Sequence, residues 1–376
     1  AAYNFSGVAA LRFFLGFTES ISIPILTTTN GMFFSQRFRQ AIQPIFYASC
    51  MASPIPIGFI SFGVLHAKST IGDWRILNII IGGLTLILTV IIFFFYPENP
   101  MKSSFLSTNE KVWVIRKVQG TSHISIEQKY FKKAHAIEAA KDYVTWLICG
   151  FFLLQQLANN LAYQQTLLFN NMGGLSNLDS TLVTVAGAGF ALLWSIAACI
   201  FMAIFPNTVC LTIIWTTVPS FVGSICAVAL PYSNTIGLLA VISMASQSFG
   251  VGWICALSLA ASTAGASYTK RLTRNALMMA SYSIANIISP QLWQEKDAPR
   301  YKPAWIVQIV LSFFTAPVLI AITWWILARR NRARKAQLDA QEKIGYVKDD
   351  EGHKVAVNIA SLDLTDLQDE TFIYPT

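Results

Sequence analysis

Charge is what this 376-residue chain has least of: Asp, Glu, Lys and Arg make up 12% of it, against about 25% in an ordinary soluble protein. A polar coat that thin excludes a soluble globular fold and a disordered chain. Histidine is scarce too, and His66, His123, His135 and His353 are scattered, so a membrane metalloenzyme with clustered ligands is excluded. The cysteines Cys50, Cys149, Cys199, Cys210, Cys226 and Cys255 all fall in apolar stretches without a CxxC pair, which reads as packing rather than disulfide or metal chemistry. Neither a GxSxG elbow nor a phosphate-binding loop with its lysine occurs. No enzyme activity, cofactor or metal is expected. The net charge of +8 does not indicate nucleic acid, because the basic residues sit between apolar runs and in the tail.

What is present is apolar: 54% of the residues are hydrophobic and the mean hydropathy is +0.51. Nine segments are long enough to cross a bilayer core of about 30 Å: 8–28, 41–65, 76–95, 144–169, 181–205, 209–230, 236–261, 276–292 and 304–327. Gln155, Gln156, Asn159 and Asn160 interrupt the fourth, and Tyr282 and Asn286 the eighth. Such interruptions are tolerated where a helix faces a bundle interior or a wet cavity. Pro54, Pro56 and Gly58, and Gly187 with Gly189, are placed to bend helices or bring them close.

Of the 27 Lys and Arg residues, 21 fall in the tail and the loops on its side of the membrane and five in the opposite loops, Arg12 lying within a span. That bias predicts a cytosolic C-terminus and a cytosolic 97–142 loop carrying an amphipathic helix, with Ala1 outside. Trp324 and Trp325, next to Arg329 and Arg330, read as an interface anchor. The tail beyond position 330 is acidic in its later part and expected to be flexible. The loop divides the spans three before and six after, so three further N-terminal helices are expected. The domains are then 1–97, the remnant of a first six-helix bundle; 98–142, a linker; 143–330, a second six-helix bundle; and 331–376, the tail.

Several motifs carry a resemblance. ArgPhePheLeuGly with a following Glu (Arg12 to Glu19) and Pro24, GlyAspTrpArg at 72–75, TyrProGluAsnPro at 96–100, PheLeuSer at 105–107, the stretch from Tyr268 to Ala276, Asn286 with Pro290, and AspAlaProArgTyr at 297–301 resemble the anion:cation symporter family of the major facilitator superfamily. The fungal allantoate, nicotinate and vitamin permeases belong to it. The resemblance keeps its order over most of 12–330. It implies an all-α polytopic membrane fold in which the nine spans correspond to helices four to twelve of twelve. The 205–208 loop lacks the basic residue that the family pattern would place there.

Only Arg12 and Glu19 are formally charged within the spans. Seven residues separate them, about 10 Å along one helix face. A charge in a lipid core costs about 2.5–3.5 kcal/mol on insertion scales, so such residues are functional candidates. One reading has Arg12 attracting the carboxylate of an organic anion and Glu19 binding and releasing the coupled proton, roles that the resemblance also implies; the other has Arg12 snorkelling to headgroups and Glu19 making a structural bond. Gln156, Asn160, Tyr163 and Leu167 form one stripe if the fourth span is a continuous helix, with Asn159 and Gln164 beside it. Tyr282 and Asn286 stand one turn apart. Gln156, Asn159, Asn160, Tyr163, Gln164, Tyr282 and Asn286 are candidate solute-binding residues, or interhelical hydrogen bonds. Gln247 with Trp253, and Gln43 with Tyr47, are lesser candidates. The expected function is proton-coupled symport of a small carboxylate such as allantoate, ureidosuccinate, nicotinate or pantothenate, by a monomeric plasma-membrane carrier. A non-transporting nutrient sensor, or an inactive truncated carrier on the same fold, is the alternative.

Overall fold

Short polar side chains set where many of the helices begin. In the computed structural model, which describes residues 4–20, 22–66, 72–97, 99–122, 131–231, 233–265, 267–338, 344–348, 354–358, 364–369 and 372–375, Asn4 Oδ1 accepts from the Gly7 amide at 2.9 Å and starts α1 (Phe5–Glu19). There follow α2 (Ser22–Phe33), α3 (Gln36–Ala52), α4 (Pro54–His66) and α5 (Asp73–Phe95). Ser107 and Glu110 form a reciprocal cap ahead of α6 (Thr108–Ser122), and α7 (Lys133–Lys141) leads into α8 (Tyr143–Gln156). After α9 (Asn159–Gly173), Ser176 caps α10 (Asn177–Ile204), and α11 (Val209–Ala229), α12 (Thr235–Gln247) and α13 (Gly250–Ser262) follow. Ser267 caps α14 (Tyr268–Ile288), and α15 (Lys302–Val307) passes through a π-helical stretch, Gln308–Thr315, into α16 (Ala316–Leu338).

Among the described residues seven stretches are long and apolar enough to cross a membrane: Ala41–His66, Asp73–Phe95, Tyr143–Asn171, Asp179–Ile204, Val209–Ala229, Thr235–Ser262 and Lys302–Ala336. The sequence-predicted spans at 8–28 and 276–292 are not among them. The first is divided between α1 and α2. The second belongs to a helix that begins eight residues earlier and includes Lys270, Arg271 and Arg274. α5 has no buried residue and shows Phe93, Phe94 and Phe95 outward. An apolar helix exposed all round is stable only where the solvent is lipid.

Several spans are broken. α3 ends and α4 begins around Ser53, directly before Pro54. α8 stops at Gln156, and Leu157 and Ala158 form a turn before α9 resumes. The freed backbone is satisfied there: Ser289 Oγ donates to Leu157 O at 2.6 Å and accepts from the Asn160 amide at 3.2 Å. α12 and α13 part at Ser248–Phe249, where Gln155 Nε2 donates to Phe249 O at 3.0 Å. Gly58 permits the closest approach of α4 to α10, since a Cβ there would lie 2.4 Å from Val185 Cγ2.

Two main apolar clusters fill the interior. One, around Ile148, Phe151, Phe152, Ile213 and Leu327, lies toward the end that carries the basic loops, called the basic face below. The other gathers Phe169 with Trp293, whose ring meets those of Tyr301 and Trp305, at the opposite end. Trp324 and Trp325 are half exposed, and Arg329 stacks over Trp325 with 5.8 Å to the ring centroid. In the tail, two five-residue strands, Ile344–Lys348 and Lys354–Asn358, pair antiparallel. Residues 364–369 and 372–375 then return to the basic face, where Thr365, Asp366, Phe372 and Tyr374 are buried.

Candidate functional site

The break in the fourth predicted span creates the site. By ending α8 at Gln156 and starting α9 at Asn159, it turns the Asn159 side chain toward α14, where Nδ2 donates to Asn286 Oδ1 at 2.6 Å. Asn286 Nδ2 donates back to Tyr282 O at 2.8 Å, one turn earlier. The Tyr282 phenol lies beside both amides. Its ring lies against Trp253, with centroids 5.7 Å apart. Three of the sequence-predicted residues, Asn159, Tyr282 and Asn286, thus meet from two predicted spans, while Glu19 is exposed on α1 and Tyr163 on α9.

The others are placed differently. Arg12 is exposed on α1, a helix with no buried residue, and lies outside the amide–phenol cluster. Gln156 is 2% exposed and sits on the far side of the break from Tyr163, which is 79% exposed. The expected single stripe through Gln156, Asn160, Tyr163 and Leu167 is therefore interrupted: two non-helical residues rotate one half against the other. Asn160 is half-buried, and its Nδ2 has no hydrogen-bond partner among the described residues. Gln164 is half-buried on α9. His123, Lys129 and His353, and the side chain of Pro24, lie outside the described residues.

A second polar contact was not singled out from the sequence in full. Gln165, 1% exposed, accepts at Oε1 from Gln247 Nε2 at 2.8 Å, and Tyr47 OH donates to Gln247 O at 3.1 Å. This joins α3, α9 and α12. Gln247 and Tyr47 stood among the lesser candidates; Gln165 differs from its neighbour Gln164 only in the direction a helix gives it.

At the basic face the structure corrects the reading of Lys270 and Arg274 as loop charges. Both are fully buried. Arg274 donates to Asp142 Oδ2 at 2.9 Å, Thr145 Oγ1 at 3.1 Å, Thr263 Oγ1 at 2.7 Å and Ala260 O at 3.2 Å. Lys270 Nζ lies 2.8 Å from Glu138, 3.6 Å from Asp142 and 2.6 Å from Asp366. Arg330 reaches Asp142 Oδ1 at 3.2 Å. Burial raises the Asp142 carboxyl, but Arg274, Lys270 and Arg330 together outweigh it and hold the group below the usual carboxylate range. Three acids and three bases form one compact, neutral cluster.

A chain of lipid-exposed, broken apolar helices with amides gathered at the breaks has the build of a polytopic carrier. The Major Facilitator Superfamily profile matches residues 1–290, and the chain belongs to that family. Among curated relatives it is 54% identical to a high affinity cysteine transporter of Saccharomyces cerevisiae, over all of this chain and 73% of the relative. It is 44% identical to an uncharacterized transporter of Schizosaccharomyces pombe, over all of this chain and 67% of the relative. It is 27% identical to the allantoate permease of Saccharomyces cerevisiae, over 97% of this chain and 66% of the relative. The protein is a multi-pass membrane transporter rather than an enzyme.

Proposed function

We propose that this carrier moves a small carboxylate-bearing solute together with a proton across the plasma membrane, and that the solute is an amino acid of cysteine's size. The observation that carries the reading is the contact of Asn159 with Asn286 and Tyr282 across the fourth and eighth predicted spans, with Glu19 the acid on α1, two turns from Arg12. A carboxylate within an apolar membrane segment is costly to keep there and is a functional candidate for that reason. Arg12, two turns from Glu19 on α1, meets the solute's carboxylate. The amides of Asn159, Asn160, Gln156, Gln164 and Asn286 hydrogen-bond its polar groups without the desolvation cost of further charges. The 54% identity to a cysteine transporter supports the amino-acid class; the likeness to an allantoate permease supports a carboxylate more generally.

In this reading the nine predicted spans are helices four to twelve of two six-helix bundles, 1–97 and 143–330 joined by 98–142. They rock about the site as a monomer, with the C-terminus in the cytosol. Cells expressing the protein are offered labelled cysteine, other amino acids, allantoate and nicotinate, with and without an inward proton gradient. Cysteine uptake that rises with the gradient is expected. Uptake of every acid at the level of control cells would overturn the reading.

A further inference from the structure

We propose that Tyr47 is the latch of the gate on the basic face: it clamps the first bundle to the break between α12 and α13, and it must leave that break before the face opens. The inference rests on the two-bundle reading above but on no particular solute. Tyr47 is buried on α3, and its OH donates at 3.1 Å to the carbonyl of Gln247, the last residue of α12. Its ring covers Gly250, the first residue of α13, so closely that a Cβ there would overlap the ring. Only glycine allows that approach.

The receiving end of the latch is fixed within the second bundle. Gln247 Nε2 donates to Gln165 Oε1 on α9 at 2.8 Å, Ser248 Oγ pairs with Ser220 Oγ on α11 at 2.6 Å, and Phe249 O accepts from Gln155 Nε2 of α8 at 3.0 Å. Each residue of the break is thus held by a different helix of 143–330. The break is also what makes the latch possible, because the last carbonyls of a helix have no partner within it and are free to accept from elsewhere. Gln247 O takes its proton from the other bundle.

The latch lies in the seam that opening has to part. α3 packs against α10 and α13, and Tyr47 belongs to the apolar cluster toward the basic face. One and a half turns earlier on α3, Ala41 O accepts from Cys199 Sγ of α10 at 3.1 Å. These contacts join residues 1–97 to residues 143–330 along one line in the half of the molecule next to the basic face. Rocking of the two bundles that opens this face separates α3 from α10 and α13, and the phenol and ring of Tyr47 then come away from Gln247 and Gly250 together.

Cys199 is a native reporter of the seam, since maleimide attacks the thiolate, which forms where water enters. The full-length protein in membranes is treated with N-ethylmaleimide, and alkylation of each cysteine is followed by peptide mass spectrometry for the parent, Tyr47→Phe and Gly250→Ala. The first variant keeps the ring and removes the hydrogen bond; the second pushes the ring off the break. Several-fold faster modification of Cys199 in Tyr47→Phe, and faster again in Gly250→Ala, with buried Cys149 and Cys210 unchanged, is the expected result. A Cys199 rate equal to the parent's in Tyr47→Phe would overturn the proposal, as would Cys149 and Cys210 accelerating in step with Cys199, which means loosening of the second bundle as a whole. Should Gly250→Ala fail to accumulate, Tyr47→Phe decides alone. No solute enters the measurement, so failure of the latch and failure of the substrate reading are told apart.

Discussion

Replacing Arg274 with methionine tests the buried charge cluster most sharply. The side chain is fully buried and makes four hydrogen bonds, to Asp142, Thr145, Thr263 and Ala260. Methionine fills most of its volume but returns none of them. Removing one partner of a buried ion pair costs about 3–5 kcal/mol. Here Lys270 at 3.6 Å and Arg330 at 3.2 Å continue to compensate Asp142, which places the loss near the low end, about 3 kcal/mol. For a cooperative unit of a few hundred residues, each kcal/mol shifts the midpoint by roughly 2–4 °C, so a fall of roughly 6–12 °C is expected. Thermal unfolding of the detergent-solubilised protein, followed by fluorescence or size exclusion, measures it. The double variant Arg274→Met with Asp142→Asn should recover part of the loss, because the stranded carboxylate is gone. A single variant within about 1 °C of the parent would refute the reasoning, since an uncompensated change of that size at a fully buried guanidinium contradicts the hydrogen bonds and ion pair on which it rests.

Further outcomes follow from the same geometry. Arg12→Gln should raise the KM for cysteine about tenfold or more while leaving unaltered the weak competition by the ethyl ester of cysteine, which lacks the carboxylate; equal losses for both would separate Arg12 from carboxylate recognition. Tyr282→Phe removes the phenol beside Asn159 and Asn286 but keeps the stack on Trp253, so it should slow uptake several-fold without lowering thermal stability by more than about 1 °C. The pH profile of stability has a worked sign. Asp142 is held below the usual carboxylate range by its three cations despite burial, so its contribution is fully present above the unfolded carboxyl value, near 4. It is lost as pH falls through the lower folded value. Thermal midpoints flat from pH 7 to about 5, then falling below about 4, are expected, and the fall should be smaller in Asp142→Asn.

The apolar spans were legible because lipid imposes one requirement, length and hydropathy together, that local sequence alone must meet. The interruption at Gln155–Asn160 was legible for the same reason, and two of the polar residues it singled out, Asn159 and Asn286, 127 residues apart, do meet. The helix break itself was not. A continuous helix and a broken one have the same composition, so Gln156 and Tyr163 were read as one stripe although Leu157 and Ala158 turn them apart. Lys270 and Arg274 were hidden differently. A basic residue beside a span looks like an orientation signal, and only contacts with Asp142 and with Asp366, far along the chain, reveal a buried cluster. Gln165 likewise depends on helix phase that the sequence does not fix to one residue. The tail's acidic composition concealed the short stretch in which Asp366, Phe372 and Tyr374 have buried partners.

Proton coupling through Glu19 is the claim on which the functional account turns. Its direct measurement is labelled cysteine in proteoliposomes holding the full-length protein, with and without an imposed inward-acidifying gradient, for the parent and for Glu19→Gln. The account predicts uphill accumulation by the parent under the gradient, and in Glu19→Gln its loss with cysteine–cysteine exchange retained. Accumulation that ignores the gradient, or that survives in Glu19→Gln, would contradict it.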